Sequence, residues 1–355
     1  MESTYRSKFV SPVFAGPLLH CALLLKKFDA SEKRSARCQK WAARFYRLAL
    51  KRPFKHISSI DPRLDLREIG SKPGCKEILW HGKVVGQTHS LDQIHNSVRG
   101  DCFIAATGPS INEANLSLLS GRTIFGVNGA LPKLRQFGLT PYYYAVADVD
   151  FAQNRFEMVR EIVASGAKCF FSPKVISVIG DRDPSLLRKA EIYLVEPVNK
   201  LYGVPRLNWK IFKQENRDLV YSNEPDQKSG RIGFSTDLRK GLFTASTIVF
   251  GSLQTAYHLG FRRLFILGMD LDYGGSSSRY YETGKHARPS QIEQLYEPVI
   301  RPSFELLSTL CRQNLLEVFN LSNKSRLPAE IIPRLTLEDA IGQIPQATST
   351  RSTQI

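Results

Sequence analysis

Several signatures of common enzyme classes are missing from this sequence. The H-E-x-x-H, G-x-S-x-G and G-x-G-x-x-G motifs do not occur, which argues against a zinc metalloprotease, an α/β-hydrolase and the common dinucleotide-binding fold. The 355 residues include only six cysteines, and no two of them have C-x-x-C spacing. Scattered cysteines in a chain of this length are typical of buried thiols in a reducing compartment, so we expect neither a zinc ribbon nor a disulfide scaffold.

A long uninterrupted apolar run is missing as well. The apolar stretch Phe9–Leu25 is broken by Pro12, Pro17 and His20, whereas a membrane-spanning helix needs about 20 consecutive apolar residues. No small-x-small cleavage site follows a basic start, so the pattern does not indicate a signal peptide.

Positive charge is concentrated near the start of the chain. Residues 1–60 contain thirteen Lys and Arg against three Asp and Glu, and the net charge of the whole chain is +16. Within this region, Ser31–Leu50 has the pattern of a basic amphipathic helix with an aromatic face. We therefore predict an attachment surface for an anionic partner such as a membrane; a solvated basic arm, or a helix packed on the core, is the alternative. No nucleic-acid-binding signature is present, so nucleic acid is not the expected partner.

Changes in composition predict four segments. Residues 1–56 form a basic extension, and residues 57–100 a connector with small strands, including a hairpin that turns at His81 and Gly82. Residues 101–341 alternate strands and helices over short loops, which predicts an α/β, Rossmann-like domain with a mostly parallel sheet flanked by helices. Residues 196–240 have weak periodicity and are interpreted as a lid. The Thr-, Ser- and Gln-rich residues 342–355 predict a disordered tail.

Short apolar runs in the α/β domain end in small-residue or acidic turns. Examples are FIAATGPSIN (103–112) and IFGVNGA (124–130). Such runs predict buried strands, and ligands bind at the carboxyl ends of parallel strands. The predicted strand-end residues are Thr107, Gly108, Pro109, Ser110, Asn128, Gly129, Asp148, Gly268 and Asp270.

These turns predict a site for a nucleotide or sugar nucleotide. Backbone N–H groups in such loops attract phosphate, and so does a helix start; we predict that Thr244 or Ser246 caps a helix running to about Leu259. No Walker lysine follows Gly108, which argues against a P-loop ATPase. Asp148-Val149-Asp150 matches a metal-binding D-x-D pattern, but we interpret it as a chance alternation and expect no metal. The other role open to Asp148 is that of a helix N-cap.

Longer segments carry a family resemblance. They are ATGPSIN, FGVNGA, YAVADVDF, SGRIGFSTDLRKG, VFNLS and the stretch from TASTIVFG through FILGMDLDYGG to SSSRYYE. With these motifs, over about Cys102 to Ile341, the chain resembles the family of the lipopolysaccharide core biosynthesis protein WaaZ, which is regarded as a transferase of 3-deoxy-D-manno-oct-2-ulosonic acid (Kdo). More distantly, the G-P-S turn, the Asn turn and the helix–strand–G-x-D block resemble the bacterial sialyltransferases of glycosyltransferase family 42.

The resemblance implies a GT-A-variant-like glycosyltransferase with CMP-Kdo as donor. The implied acceptor is the anionic inner core of lipopolysaccharide, at another Kdo. We expect no cofactor and no divalent metal, and a single displacement would invert the anomeric centre. The implied location is cytoplasmic, peripheral at the inner face of the inner membrane, with residues 1–56 as the attachment. The alternatives are a sialyltransferase-like enzyme for another CMP-nonulosonic acid and a non-catalytic glycolipid-binding protein.

Carried over residue by residue, the resemblance implies three groups of site residues. The acceptor hydroxyl must lose a proton, and the candidates for this general base are Asp148, Asp270 and His286. Arg231 and Asp237 are expected to bind the acceptor. The turns of Ser110 and Asn128 are expected to donate backbone N–H groups to the phosphate. The full set of implied donor-binding residues is Thr107, Gly108, Pro109, Ser110, Asn128, Gly129, Thr244, Ala245, Ser246, Gly268, Arg279 and Tyr281.

Overall fold

The computed structural model describes residues 50–222, 232–272, 279–281 and 292–343. The predicted helix at 31–50, except its last residue, and most of the predicted tail lie outside these ranges. The strands are β1 Leu64–Glu68, β2 Lys76–Trp80, β3 Lys83–His89, β4 Asp101–Ala105, β5 Ile124–Val127, β6 Tyr143–Val146, β7 Lys168–Phe171, β8 Glu191–Leu194, β9 Val220–Tyr221, β10 Gly233–Phe234, β11 Arg263–Leu267 and β12 Glu317–Asn320. The α-helices are α1 Leu131–Arg135, α2 Val149–Asn154, α3 Phe156–Ala164, α4 Pro173–Arg182, α5 Leu186–Lys189, α6 Trp209–Glu215, α7 Ile248–Leu259, α8 Ile292–Leu295, α9 Arg301–Arg312 and α10 Leu337–Gly342.

The described chain forms two compact units. The first contains the described residues up to His95 together with Val146–Val220 and Ser235–Phe243. Its strands are ordered β1-β2-β3-β8-β7, with β1, β2 and β3 antiparallel and β3, β8 and β7 parallel. The predicted hairpin is confirmed: β2 and β3 turn at His81 and Gly82, which have φ of 50° and 76°. Two positive φ values match the twist of a two-residue hairpin.

The second unit contains Asn96–Ala145, Tyr221–Phe234 and the described residues from Thr244 onward. Its strands are ordered β6-β5-β4-β11-β12, and every neighbouring pair is parallel. Parallel strands place their carboxyl ends at one edge of the sheet. This edge is where the predicted ligand-binding turns are found.

The sheet of the second unit is covered on both faces. Phe103 of β4 stacks on Phe265 of β11 with ring centroids 4.8 Å apart, and Phe265 stacks on Phe319 of β12 at 5.5 Å. On this face the core cluster also takes in side chains of α10 and of the 3-10 helix Leu116–Leu119. Alternation sends Cys102 and Ile104 to the other face, and α7 packs against β4 and β5. A parallel sheet buried between helices is the predicted α/β class, which is therefore confirmed.

Local features of the second unit also follow the sequence. Gly260 ends α7 with φ 118°, a left-handed conformation that favours glycine. The helical stretch from Ile292 to Arg312 is irregular around its two prolines, Pro298 and Pro302. Helix α8 is followed by a π-helical segment, Tyr296–Ile300, and α9 begins with Pro302 in its first turn.

Three of the four cysteines that the structure describes are buried, as predicted. Cys75, Cys102 and Cys169 are buried free thiols, whereas Cys311 is a free thiol that is only partly buried. Burial raises the pKa of Cys169 to about 12. Within the described ranges, none of the helices combines the length and the apolar character needed to cross a membrane.

Candidate active site

The described residues that the sequence predicts to bind the donor all belong to the second unit. They follow β4, β5 and β11 or precede α7. Because these strands are parallel, their terminal turns lie along one edge of the sheet. The structure therefore brings together Thr107, Gly108, Pro109, Ser110, Asn128, Gly129, Thr244, Ala245, Ser246, Gly268, Asp270, Arg279 and Tyr281 in one unit.

The turns after β4 and β11 are bonded to each other. The Gly108 N–H donates to the Gly268 carbonyl at 2.8 Å. Beyond it, Ser110 donates twice to the Asp270 carboxylate, through its backbone N–H to Oδ2 at 2.8 Å and through its hydroxyl to Oδ1. Both side chains are buried. A buried carboxylate is costly without such donors, so this pair holds the two turns in register.

This pairing describes the contacts of Ser110 in the structure: its N–H and hydroxyl are both directed at Asp270. Phosphate binding by the Ser110 turn stays a prediction. Asp270 in turn acts as a brace between the turns. A Cβ at Gly108 would lie 2.6 Å from both the Gly268 carbonyl oxygen and Asp270 Oδ2, so only glycine fits at this position.

The turn after β5 is supported from below by Tyr144. The Tyr144 hydroxyl donates to the Asn128 carbonyl at 2.7 Å and accepts from the Leu131 N–H at 2.9 Å. Burial raises the pKa of this hydroxyl well above its ordinary value, so it stays protonated. Asn128 itself has φ 44°, and its buried side-chain Oδ1 has no hydrogen-bond partner among the described residues. An orphaned buried acceptor calls for a donor, which a bound ligand can supply.

Tyr280, which is not among the predicted site residues, links the β4 and β5 turns. Its N–H donates to the Thr107 carbonyl at 2.9 Å, and its hydroxyl donates to the Gly129 carbonyl at 2.7 Å while accepting from the Lys133 N–H at 3.2 Å. Burial raises the pKa of Tyr280 to about 12, so the hydroxyl is a donor at neutral pH. The only feature of the sequence that points to Tyr280 as a site residue is its position beside Tyr281 in SSSRYYE.

Tyr281 packs directly on the β5 turn. Its ring lies against Gly129, where a Cβ would approach the ring Cζ to 2.7 Å. Arg279, two residues earlier, is partly buried. The described segment 279–281 therefore contacts both predicted phosphate-side turns.

The start of α7 differs from the prediction. The helix begins at Ile248 with Thr247 as N-cap, so the prediction that Thr244 or Ser246 caps it is wrong. Ala245 and Ser246 have φ of 42° and 56° and form a tight turn closed by the Thr247 N–H on the Thr244 carbonyl at 3.0 Å. Positive φ at both residues is incompatible with a helix and is strained for side chains other than glycine. Within the described part of the chain, no side chain caps the first N–H groups of α7, and N–H groups at a helix start are suited to bind an anion.

Ser322, after β12, is a further residue that the sequence analysis did not assign to the site. Its hydroxyl accepts from the Met269 N–H at 2.8 Å, which fixes the G-M-D turn from the other side. The signal is its position after a strand end, in Asn320-Leu321-Ser322.

Two predicted residues lie in the first unit and have structural partners there. Asp148 Oδ1 accepts from the N–H groups of Asp150 at 2.9 Å and Phe151 at 3.2 Å, so Asp148 caps α2. Asp237 caps the 3-10 helix Leu238–Lys240 and pairs with the Arg239 guanidinium at 2.7 Å. The contacts of Asp148 are therefore those of a helix N-cap, the alternative role given above. The contacts of Asp237 are made with its own 3-10 helix.

Arg231 and His286 lie outside the described residues. Among the residues that are described, no group of three or more His, Cys, Asp or Glu side chains is arranged to hold a metal ion.

Two solved structures show a distant likeness. The MAf glycosyltransferase from Magnetospirillum magneticum AMB-1 is 14% identical with a TM-score of 0.41; the match covers 71% of this chain and 35% of that chain, so it spans about a third of the larger protein. The sialyltransferase CstII from Campylobacter jejuni, solved with a substrate analogue, cytidine-5′-monophosphate, is 14% identical with a TM-score of 0.38, covering 65% of this chain and 83% of that chain.

Two curated bacterial proteins are similar over most of their length. The “Probable 3-deoxy-manno-octulosonic acid transferase” of Escherichia coli (strain K12) is 25% identical over 249 residues, which cover 69% of this chain and 86% of that protein. The protein of the same description from Salmonella typhimurium (strain LT2) is 28% identical over 271 residues, covering 73% and 97%.

The family model described as 3-deoxy-D-manno-octulosonic acid transferase WaaZ matches residues 85–338. This range is well over half of the chain and includes β4, β5, β11 and the start of α7, the elements that build the site. The chain therefore belongs to the WaaZ family of Kdo transferases and is a glycosyltransferase.

Proposed function

We propose that this glycosyltransferase moves Kdo from CMP-Kdo to the inner core of lipopolysaccharide, onto another Kdo. Family membership supports the transferred sugar. The observation that carries the nucleotide assignment is the orphaned Asn128 Oδ1, which lies in a strand-end turn of the unit that also holds the uncapped start of α7. A CMP donor offers both an amino group for an amide acceptor and a phosphate for a helix N-terminus.

The helix start is suited to the leaving group. Breaking the bond between the anomeric carbon and the phosphate releases CMP as an anion, so donors that stabilise growing negative charge lower the barrier. The first N–H groups of α7 and its dipole supply such donors without a mobile cation. We propose that the reaction needs no divalent metal, and that activity is unchanged by EDTA.

The acceptor hydroxyl must lose a proton as it attacks. Asp148 and Asp270 both have hydrogen-bond partners in the structure, as a helix cap and as a brace. We propose His286 as the first base to test. A histidine base loses activity as the pH falls through about 6.5, so His286→Asn should remove that limb of the pH–rate profile together with most of the turnover. An intact limb in the variant would exclude His286. The attack in one displacement inverts the anomeric centre.

We further propose that the protein works at the cytoplasmic face of the inner membrane, attached through the basic residues 1–56. Deleting residues 1–52 should then reduce recovery with membranes more than turnover on a soluble acceptor. Equal membrane recovery of the shortened and full chains would contradict this attachment.

The decisive experiment measures CMP release by the purified full chain with an inner-core acceptor that carries Kdo. We expect release with CMP-Kdo and little with CMP-sialic acid. The reverse preference would support a sialyltransferase-like enzyme for another nonulosonic acid. No release with either donor, together with retained glycolipid binding, would overturn the proposed transfer.

A further inference from the structure

Large exposed apolar side chains are few in the described part of the chain. Val204 and Ile211 are 48% and 45% exposed, and both belong to the first unit. The other large apolar side chains exposed among the described residues are Val84, Phe137 and Tyr142. Single exposed apolar residues are ordinary, so the surroundings decide whether Val204 and Ile211 matter.

Those surroundings are strongly basic. Residues 199–217 contain five Lys and Arg and one acidic residue. Arg206 and Lys210, beside the two apolar positions, are both exposed. Elsewhere in this unit basic residues pair with carboxylates, as Arg63 does with Asp61, but Arg206 and Lys210 form no such pair within the described ranges.

A second basic segment joins the first. The 3-10 helix Arg52–Ser59 contacts the loop before α6: the Arg206 N–H donates to the Pro53 carbonyl at 2.8 Å, and the His56 ring lies 2.9 Å from the Leu201 carbonyl oxygen. Lys51, Arg52 and Lys55 of this segment are exposed. We use the term basic face for the exposed side chains of residues 51–56 and 204–213.

Helix α6 holds Ile211 outward. Phe212 is buried and stacks on Trp209 with ring centroids 5.1 Å apart, which fixes one side of the helix against the protein. At 100° per residue, Lys210 and Ile211 each lie about 130° around the helix from the direction midway between Trp209 and Phe212. Their exposure therefore follows from how the helix is anchored.

We propose that the basic face docks on a phospholipid bilayer with anionic headgroups. Lysine and arginine side chains complement the headgroup charge, and apolar tips between them enter the boundary between headgroups and acyl chains. A protein partner of ordinary affinity needs a larger apolar patch than two side chains. A nucleic acid would be bound through its phosphates by the basic side chains, and the exposed apolar side chains of Val204 and Ile211 would add nothing to that binding. Residues 1–49, which directly precede this face in sequence, add ten Lys and Arg against three acidic residues.

The proposal is independent of which sugar is transferred, and its test uses no sugar. The full chain is sedimented with vesicles of phosphatidylcholine alone or with 30% phosphatidylglycerol. The test variant is Lys210→Ala/Ile211→Ser. The matched control is Lys83→Ala/Val84→Ser, an adjacent lysine and apolar residue of the same unit with nearly the same exposure, since Val84 is 47% exposed.

We expect binding only to the anionic vesicles, and about tenfold weaker binding by the test variant. This factor combines one lysine near an anionic surface with one inserted apolar side chain. The affinity factors from the basic face multiply any factor from residues 1–49. The substitution can therefore be tested in the full chain. Equal binding by the test and control variants, or equal binding of the full chain to neutral and anionic vesicles, would overturn the proposal.

Discussion

Ser110 and Asp270, 160 positions apart in sequence, form a buried pair in which the serine donates both of its hydrogen bonds to one carboxylate. The pair joins the turns after β4 and β11, two neighbouring inner strands of the second unit's sheet. Hydrogen bonds to a charged group contribute about 1.5 to 3 kcal/mol, and an unpaired buried carboxylate is destabilising. The two residues should therefore behave as one structural group.

Ser110→Ala and Asp270→Asn should be strongly non-additive. Each single variant is expected to lower the free energy of unfolding by about 1 to 3 kcal/mol, because each leaves its buried partner incompletely bonded. The double variant should cost little more than the worse single variant. Chemical denaturation of the four proteins measures this coupling. If the two losses simply add, the pair is not the brace that we describe.

Asn128→Gly should weaken CMP binding about tenfold, the effect of losing one hydrogen bond from a buried group. Glycine tolerates the φ of 44°, so the substitution removes the amide without straining the turn. Isothermal titration with CMP is the measurement.

A second asparagine supplies the control for this prediction. Asn314 also has positive φ, 59°, and its side chain is exposed in the same unit. Asn314→Gly should leave CMP affinity unchanged. Unaltered affinity in Asn128→Gly, with the melting temperature preserved, would mean that the orphaned Oδ1 does not meet the nucleotide.

Tyr280→Phe should lower kcat/KM about tenfold and the free energy of unfolding by about 1 to 2 kcal/mol. The hydroxyl bridges the Gly129 carbonyl and the Lys133 N–H, and both would lose a partner. Because burial raises the pKa of Tyr280 to about 12, the shape of the pH–rate profile between pH 6 and 9 should not change. If the variant lost one limb of the pH–rate profile in that range, the Tyr280 hydroxyl would take part directly in proton transfer. Tyr142→Phe, at an exposed tyrosine of the same unit, is the control.

Gly108→Ala should disrupt the site more than any change of a neighbouring side chain. The new Cβ would meet the Gly268 carbonyl and the Asp270 carboxylate at 2.6 Å, so the β4 and β11 turns must separate. We expect a stability loss of about 2 to 4 kcal/mol by thermal unfolding and no measurable turnover. Gly342→Ala, where nothing lies within 4 Å, should be close to neutral. A fully active Gly108→Ala enzyme would refute the close approach.

Glu196 of the first unit should make stability depend on pH. Burial raises the pKa of this carboxyl group to about 7, although Lys76 and the Tyr202 N–H at 2.7 Å act in the opposite direction. Between the unfolded pKa near 4.5 and about 7, the folded protein holds a proton that the unfolded chain has lost. Stability from this group is therefore fully present below about 4.5 and declines as the pH rises through 7, by about 3 kcal/mol in all.

Glu196→Gln tests that dependence. The amide has no charged form and can still accept from the Tyr202 N–H, so the variant should be more stable than the parent at pH 8 and similar to it near pH 4.5. Thermal unfolding across this pH range gives the comparison, with the exposed Glu330→Gln as control. If the stabilities of the variant and the parent differ by the same amount at every pH, Glu196 does not titrate in this range.

Much of the second unit could be predicted from sequence because its signals are local. Apolar runs marked β4, β5 and β11 to within about two residues, and Gly260 and the prolines at 298 and 302 act on the backbone within a single turn. The helix α4 was not predicted, because its residues are buried on nearly every side and show no clean amphipathic stripe. Hydrophobic periodicity identifies helices that are buried on one side. It does not identify helices that are enclosed by their neighbours.

Local residue patterns are enough to predict the parallel α/β architecture, the strand-end turns and the family, since all three depend on residues close together in the chain. The partner of each polar side chain, in contrast, depends on the folded structure. Asp148 and Asp270 look alike as carboxylates after a strand, yet one caps the next helix while the other binds a serine 160 residues away. Tyr280 became part of the site because folding brings Thr107 and Gly129 to it. Hydrogen bonds are directional and short, so their partners are fixed by packing and cannot be deduced from spacing alone.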